Sequence, residues 1–415
     1  MADPIFQMAA SSLRFGPGAT EEVGQDLTEY FRCKSVVVFT DRNVRQLPCF
    51  QVLLESLERN ALHYRVFDNV RVEPSDISFK EAIEYLKRVE GGYDGVVAMG
   101  GGSVIDTAKA ANLYASHEHA SFHDHVNAPT GKGLPVAGPV RPLIAIPTTS
   151  GTGSETTGVA IFDDSSTRSK TGIADRHLKP ALGIVDPVNT ATQPSEVTTF
   201  TGLDVLCHAV ESYTALPSRK RFPRPSSPLM RPAYQGSNPV ADVWSLFAVE
   251  TTAKHLRSAI DGCDDSRFAM MMASSAAGMG FGNAGVHLCH GMSYTVSSQA
   301  PQTCRYYRAD HALIPHGLSV AVNAPAVFRF TQSADPERHA TCARILGNLE
   351  GNLCDAMERF LEKVDVQPGI RQFGYAESDV EALVNGTSQQ HRVTKLSPRP
   401  VGRHDLEDLF RATLE

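Results

Sequence analysis

Asp204-Val205-Leu206-Cys207-His208 places a carboxylate and an imidazole four residues apart. On a helix that spacing turns both side chains to one face. Further along, His287-Leu288-Cys289-His290-Gly291 and Pro315-His316-Gly317 add more imidazoles. Asp204, His208, His290 and His316 together make a four-ligand nitrogen/oxygen set. Such a set suits Fe(II) or Zn(II) and does not select between them. A cation held this way can take a substrate oxygen in an open position, so the chemistry is polarisation of a hydroxyl or carbonyl. His287 is the alternative to His290, and a D-x-x-x-H pair by itself is common in helices that bind nothing. Cys207 and Cys289 adjoin the proposed ligands but face other ways, which makes packing their expected role.

A second group of residues suits a dinucleotide. Gly100-Gly101-Gly102-Ser103 follows an apolar run and precedes a helical pattern. Glycines there let backbone approach a ligand, and a helix start offers N–H groups to a pyrophosphate. The run lacks the third glycine of G-x-G-x-x-G, since Ile105 stands there, and a plain tight turn reads equally well. Pro147-Thr148-Thr149-Ser150-Gly151-Thr152-Gly153-Ser154-Glu155 crowds hydroxyls and glycines after another apolar run, as a ligand loop would. Asp41 follows the first strong strand pattern. It could accept from a ribose and repel a 2′-phosphate, or simply cap the next helix.

The elements that carry these residues fall into two halves. Strand patterns at 35–40, 63–67, 94–99, 143–146 and 181–185 alternate with helical patterns at 43–60, 79–90 and 103–115. That alternation predicts a mostly parallel sheet with helices on both faces. Beyond Asp186-Pro187 β-branched runs become scarce. Helical patterns cover 194–216, 240–260, 267–280, 317–330, 336–349 and 353–363, with a Pro- and Arg-rich loop at 217–239. The expected domains are therefore 1–193, α/β and dinucleotide-binding, and 194–415, all-α and metal-binding.

Composition narrows the class. The 415 residues hold 39 Lys+Arg against 46 Asp+Glu, a net charge of −7, which argues against a general nucleic-acid or anionic-membrane binder. No apolar run approaches the ~20 residues of a membrane helix. Residues 1–10 lack a basic stretch followed by an apolar core, so no secretory signal is expected. The 8 cysteines form no C-x-x-C pair and read as reduced thiols.

The ordered blocks GGGSVIDTAKA (100–110), PTTSGTGSE (147–155), GLDVLCHAVES (202–212), HLCHGMSY (287–294) and PHGLSVA (315–321) resemble the iron-dependent (group III) alcohol dehydrogenase family over nearly the whole chain. The resemblance implies the fold shared with dehydroquinate synthase: a Rossmann-like α/β domain followed by an all-α domain. It implies NAD, a metal, Fe(II) with Zn(II) possible, and Asp204, His208, His290 and His316 as ligands and catalytic residues. It also implies that Asp41, Gly100, Gly101, Gly102, Ser103, Asp106, Thr148, Thr149, Thr152 and Lys170 serve the cofactor. NVRVEPSD (69–76), VNAPTGKG (126–133), RPAYQGSNP (231–239), GFGNAGVHLCHGMSY (280–294) and RVTKL (392–396) resemble one branch of the family. In that branch oxidation of 4-hydroxybutyrate to succinate semialdehyde is coupled to reduction of 2-oxoglutarate to 2-hydroxyglutarate, with the nicotinamide kept bound. Hydroxyacid and oxoacid substrates, a homo-oligomer (dimer or larger) and a mitochondrial location, otherwise cytoplasmic, are implied in the same way; nucleic acid and membrane partners are not. A free-standing NAD-dependent alcohol dehydrogenase and a dehydroquinate-synthase-type lyase are the alternatives. Tyr294 stands where many relatives carry a second histidine near the nicotinamide. Carboxylate substrates call for arginine, and Arg231, Arg305 and Arg308 are the candidates, with solvated loop charges as the other reading.

Overall fold

The computed structural model describes residues 3–167, 169–221, 223–307 and 311–415, with the backbone of Arg308. The chain forms two compact units that part between Pro194 and Ser195. The first holds 9–167 and 171–194; the second holds 195–415 together with 3–8 and 169–170. The expectation gave all of 1–193 to the α/β domain; residues 3–8 and Lys170 instead group with the helical unit.

Strands β1 (Ser12–Phe15), β2 (Ser35–Phe39), β3 (His63–Phe67), β4 (Gly95–Gly100), β5 (Leu143–Pro147) and β8 (Leu182–Val185) build one six-stranded sheet in the order β1-β8-β5-β4-β2-β3. Every neighbouring pair is parallel. The continuous apolar runs are explained by burial of both faces. Val37, Phe39, Val96 and Ala98 enter one core, and Val36, Val38, Val97 and Met99 the other. β3 lies on one side of β2 and β4 on the other. The strand order thus reverses at β2/β4, where open α/β sheets bind ligands at the carboxyl ends of their strands.

Strand β1 escaped prediction because Ser-Leu-Arg-Phe is short and half exposed at a sheet edge. Strands β6 (Val159–Asp164) and β7 (Ser169–Ala174) form a separate two-stranded sheet. The helical pattern at 43–60 is in fact a 3-10 turn, Val44–Gln46, followed by a helix Pro48–Arg59. Pro48 has no N–H to continue a helix but suits a first turn.

The second unit is helical. Helix Ser195–Thr214 is buried along most of its length and packs against Pro239–Ile260, Asp264–Ala284 and His316–Ala321. The predicted helix 317–330 is two helices, His316–Ala321 and Ala324–Thr331, the second with Pro325 in its first turn. Gly317 is required here: a Cβ on it would stand 2.0 Å from the Phe200 carbonyl oxygen and 2.8 Å from Asp204 Cβ. Asp3 is buried and receives Arg231 Nε at 3.1 Å and Arg221 Nη2 at 2.9 Å. Gln7 and Gln235 exchange two hydrogen bonds of 2.8 Å. Among the described residues no helix is long and apolar enough to cross a membrane.

Candidate active site

In the helical unit, Asp204 and His208 lie one turn apart on Ser195–Thr214, His290 on the helix Leu288–Ser298, and His316 at the first position of its own short helix. The three imidazoles each approach one oxygen of Asp204. From Asp204 Oδ1, His290 Nε2 is 3.5 Å away, His208 Nδ1 3.6 Å and His316 Nε2 3.9 Å. These separations are too long for hydrogen bonds. They match the ~3.4 Å expected between two ligands each about 2.1 Å from one tetrahedral cation. Asp204 Oδ1, His208 Nδ1 and His290 Nε2 are buried with no hydrogen-bond partner. Asp204, His290 and His316 bring ligand atoms within 4.8 Å of one another, a set that His208 does not join; buried ligand atoms without partners there would be costly unless something positive joined them. The donor set therefore fits a divalent cation.

The neighbours hold these rings in place. The His208 ring stacks on Phe281 at 3.9 Å and on His290 at 4.4 Å. Glu211, fully buried, accepts from Cys289 N at 2.6 Å and His290 N at 3.3 Å, and its Oε2 grips His290 Nδ1. That contact holds a hydrogen on Nδ1, so Nε2 is the nitrogen that faces Asp204 and would give up its proton to a cation. Sequence reasoning missed Glu211. It lies seven residues past Asp204 on the same helix, in D-x-x-x-H-x-x-E, and only the packing reveals its partner. His287, the rival to His290, is set elsewhere: its Nδ1 lies 3.1 Å from Glu211 Oε1 and its Nε2 3.0 Å from Thr214 Oγ1.

Electrostatics follows from this arrangement. Burial alone would raise the Asp204 carboxyl, but the three imidazoles hold it well below the usual range. Burial lowers His208 to about 3. Burial opposes a charge on His290 too, yet Glu211 and Asp204, one at each ring nitrogen, raise it to about 9. Burial pushes the Tyr294 hydroxyl up to about 12, so it stays protonated.

In the α/β unit, the candidate cofactor residues gather at the carboxyl ends of β2, β4 and β5. Thr148 N donates to Gly100 O at 3.0 Å, which sets the two loops side by side. Gly101 caps the helix Gly102–Ser116. A Cβ on Gly102 would lie 2.4 Å from Thr152 Cγ2, so this glycine is needed for loop packing. Thr149 Oγ1 stands 3.5 Å from the corresponding position at Gly101. Ser103 Oγ accepts from Glu73 N at 3.2 Å, and Thr152 Oγ1 from Ser154 N at 3.2 Å. Asp41 Oδ1 accepts from Asn43 N at 2.8 Å and Val44 N at 3.0 Å, closing the turn that leads into the 3-10 segment Val44–Gln46. Asp106 has protein partners on both oxygens, Ser154 Oγ at 2.5 Å and Ile161 N at 2.9 Å, and thus braces the loop. Lys170 is buried, and its carbonyl accepts from Gln390 Nε2 at 3.0 Å within the helical unit.

Residues 10–187 match the family model "Iron-containing alcohol dehydrogenase", and 233–414 match "Fe-containing alcohol dehydrogenase family, C-terminal". The chain belongs to the iron-containing alcohol dehydrogenase family. It is an enzyme, an oxidoreductase of that family. Hydroxyacid-oxoacid transhydrogenase, mitochondrial, of Mus musculus is 51% identical over 426 residues, covering 100% of this chain and 91% of that one. The Homo sapiens protein of the same name is 50% identical over 425 residues, covering 100% and 90%. Among solved structures, 1,3-propanediol oxidoreductase superposes with a TM-score of 0.84 at 25% identity, covering 99% and 100%. An iron-containing alcohol dehydrogenase from Thermococcus thioreducens has the same fold, with a TM-score of 0.82 at 24% identity over 99% of each chain. Family membership carries metal and nicotinamide chemistry with it.

Of the arginines expected at a substrate carboxylate, Arg231 is already paired with Asp3. Arg305 is exposed and forms an isolated β-bridge with Leu313, and the Arg308 side chain is outside the described residues.

Proposed function

We propose that this chain is a hydroxyacid-oxoacid transhydrogenase of the mitochondrion. It would oxidise 4-hydroxybutyrate to succinate semialdehyde and return the hydride to 2-oxoglutarate through NAD(H) that stays bound. Asp204, His208, His290 and His316 would hold one divalent cation, Fe(II) in the first instance and Zn(II) in the second. Asp41, Gly100, Gly101, Gly102, Ser103, Thr148, Thr149 and Thr152 would receive the dinucleotide. Asp106 would support that loop from behind, and Lys170 would be the cationic member of the set. The assembly would be a homo-oligomer, a dimer or larger.

The supporting observation is the cluster of ligand atoms from Asp204, His290 and His316, all within 4.8 Å of one another, in a chain about half identical to transhydrogenases over its full length. When bound, the cation would supply Lewis acidity to a substrate oxygen and the nicotinamide would carry the hydride. The protein does the positioning. Glu211 fixes the His290 tautomer, and Phe281 presses on the open face of His208 and keeps water from it. Tyr294, whose ring lies 6.0 Å from His316, offers a hydroxyl that stays protonated where relatives carry an ionisable imidazole.

The test uses metal-loaded protein carrying only its own nucleotide. Given 4-hydroxybutyrate and 2-oxoglutarate with no added NAD, it should release succinate semialdehyde and 2-hydroxyglutarate in equal amounts by mass spectrometry. Turnover that ignores the oxoacid and runs on added NAD alone would make it a free-standing alcohol dehydrogenase instead.

A further inference from the structure

Arg392 sits on the one-turn helix His391–Thr394, in the helical unit. Its Nη2 donates to the Tyr294 hydroxyl at 3.2 Å, and its guanidinium lies 4.7 Å from the centre of the Tyr234 ring. Its Nη1 is buried with no hydrogen-bond partner. The groups acting on its charge are two tyrosines, with no carboxylate among them. Lys395, one turn on, is pushed down by burial and then by the positive charges of Arg392 and Arg221. A sequestered cation beside other cations, with donors unused, is costly unless an anion joins it.

Two lines of ring contacts lead from this guanidinium to Asp204 and its three imidazoles. One runs through the Tyr294 hydroxyl, whose ring is 6.0 Å from His316. The other runs through Tyr234, 6.4 Å from Phe281, which stacks on His208 at 3.9 Å. The short helix is held close by Gly291, the residue after His290: a Cβ there would stand 3.1 Å from Thr394 Cγ2 and 3.5 Å from Val393 Cγ2.

We propose that Arg392 is the substrate-binding residue that receives the remote carboxylate of both acids, with the Tyr294 hydroxyl as a second donor. The inference rests on the transhydrogenase reading for its substrates. The chemistry explains why one group serves two molecules. In 4-hydroxybutyrate the reacting carbon is separated from the carboxylate by two methylenes. In 2-oxoglutarate the same spacer separates the ketone carbon from the distal carboxylate. One guanidinium at a fixed distance from the reacting oxygen therefore reads donor and acceptor alike. Arginine suits this task because its planar fork meets a carboxylate in two parallel bonds.

The experiment compares the full-length holoenzyme with R392Q and R392K. Steady-state kinetics give KM and kcat for each acid, and calorimetric titration with glutarate gives a binding constant that needs no turnover. R392Q should raise KM for 4-hydroxybutyrate and for 2-oxoglutarate together, by about 10- to 100-fold, and weaken glutarate binding by a similar factor. R392K, which keeps the charge and loses the fork, should fall between, and it carries the test if R392Q does not fold. Unchanged glutarate binding in a folded variant, or a rise in KM for only one acid, would overturn the proposal. If wild-type protein fails to turn over the acids, the functional reading falls, while glutarate binding still decides the role of Arg392.

Discussion

Replacing Glu211 by Gln changes one atom and tests the logic of the whole metal centre. In the native arrangement one carboxylate oxygen takes the Cys289 N–H at 2.6 Å, and the other takes the His290 N–H and its ring Nδ1. An amide has a single acceptor oxygen. If that oxygen stays with Cys289, the amide NH2 confronts the backbone N–H of His290 and donates to Nδ1. The ring hydrogen then moves to Nε2, the nitrogen that must face the cation. If the amide turns round, the Cys289 N–H is left buried against a donor. Each hydrogen bond to a charged acceptor is worth roughly 1.5–3 kcal/mol, and removing a partner that orients a ligating histidine costs about 10- to 100-fold in metal affinity. We therefore expect E211Q to weaken Fe(II) and Zn(II) binding by that factor and to lower the melting temperature of the metal-free protein. Competition against a chromophoric chelator at pH 7 measures the first, and calorimetry the second. A metal Kd within twofold of wild type, with an unchanged melting temperature, would refute the argument that Glu211 sets the His290 tautomer.

The same centre predicts a pH dependence. In metal-free protein His290 is raised to about 9. Its contribution to stability is therefore full below the unfolded value near 6.5 and is lost as pH rises through 9. A cation must displace that proton, so metal affinity should climb about tenfold per pH unit from 7 to 9 and then level off; a flat profile would exclude His290 as a ligand. Gly317→Ala should cost about 1–3 kcal/mol and most of the bound metal, because the added carbon meets backbone at Phe200 that cannot swing aside. Metal analysis and urea unfolding check both effects. Asp41→Asn keeps an acceptor for the cap but removes the charge, so it should shift preference toward NADP(H) with little loss of stability. An unchanged ratio of NAD to NADP binding would remove Asp41 from the cofactor site.

The sequence exposed most of the scaffold because burial leaves a strong imprint on it. Strands β2, β4, β5 and β8 are buried on both faces, and the amphipathic helix Leu353–Lys363 has its predicted limits. Where that imprint is weak, so was the reading. Helix Leu288–Ser298 is buried nearly all round, so its apolar residues show no period of 3.6. Asp204, His208, His290 and His316 were legible by residue type and order. The choice between His287 and His290 was not, because it depends on which ring Glu211 turns toward Asp204. The expectation for Arg231 fails for a related reason. Arg231 looked available in a polar loop, but its partner, Asp3, lies 228 residues away in sequence. Arg392 stands in RVTKL (392–396), a block singled out only by its resemblance.

The buried Asp3 carboxylate makes the segment 3–8 a working part of the helical unit. Two guanidinium groups, from Arg221 and Arg231, close on it, and the mutual pair Gln7 and Gln235 lies four residues further on. Trimming through Asp3 by a protease would leave those two cations facing each other and loosen the polar loop between the helices Ser195–Thr214 and Pro239–Ile260. A short peptide carrying residues 3–8, supplied separately, should then re-anchor that loop, so this segment can be studied as a detachable clasp.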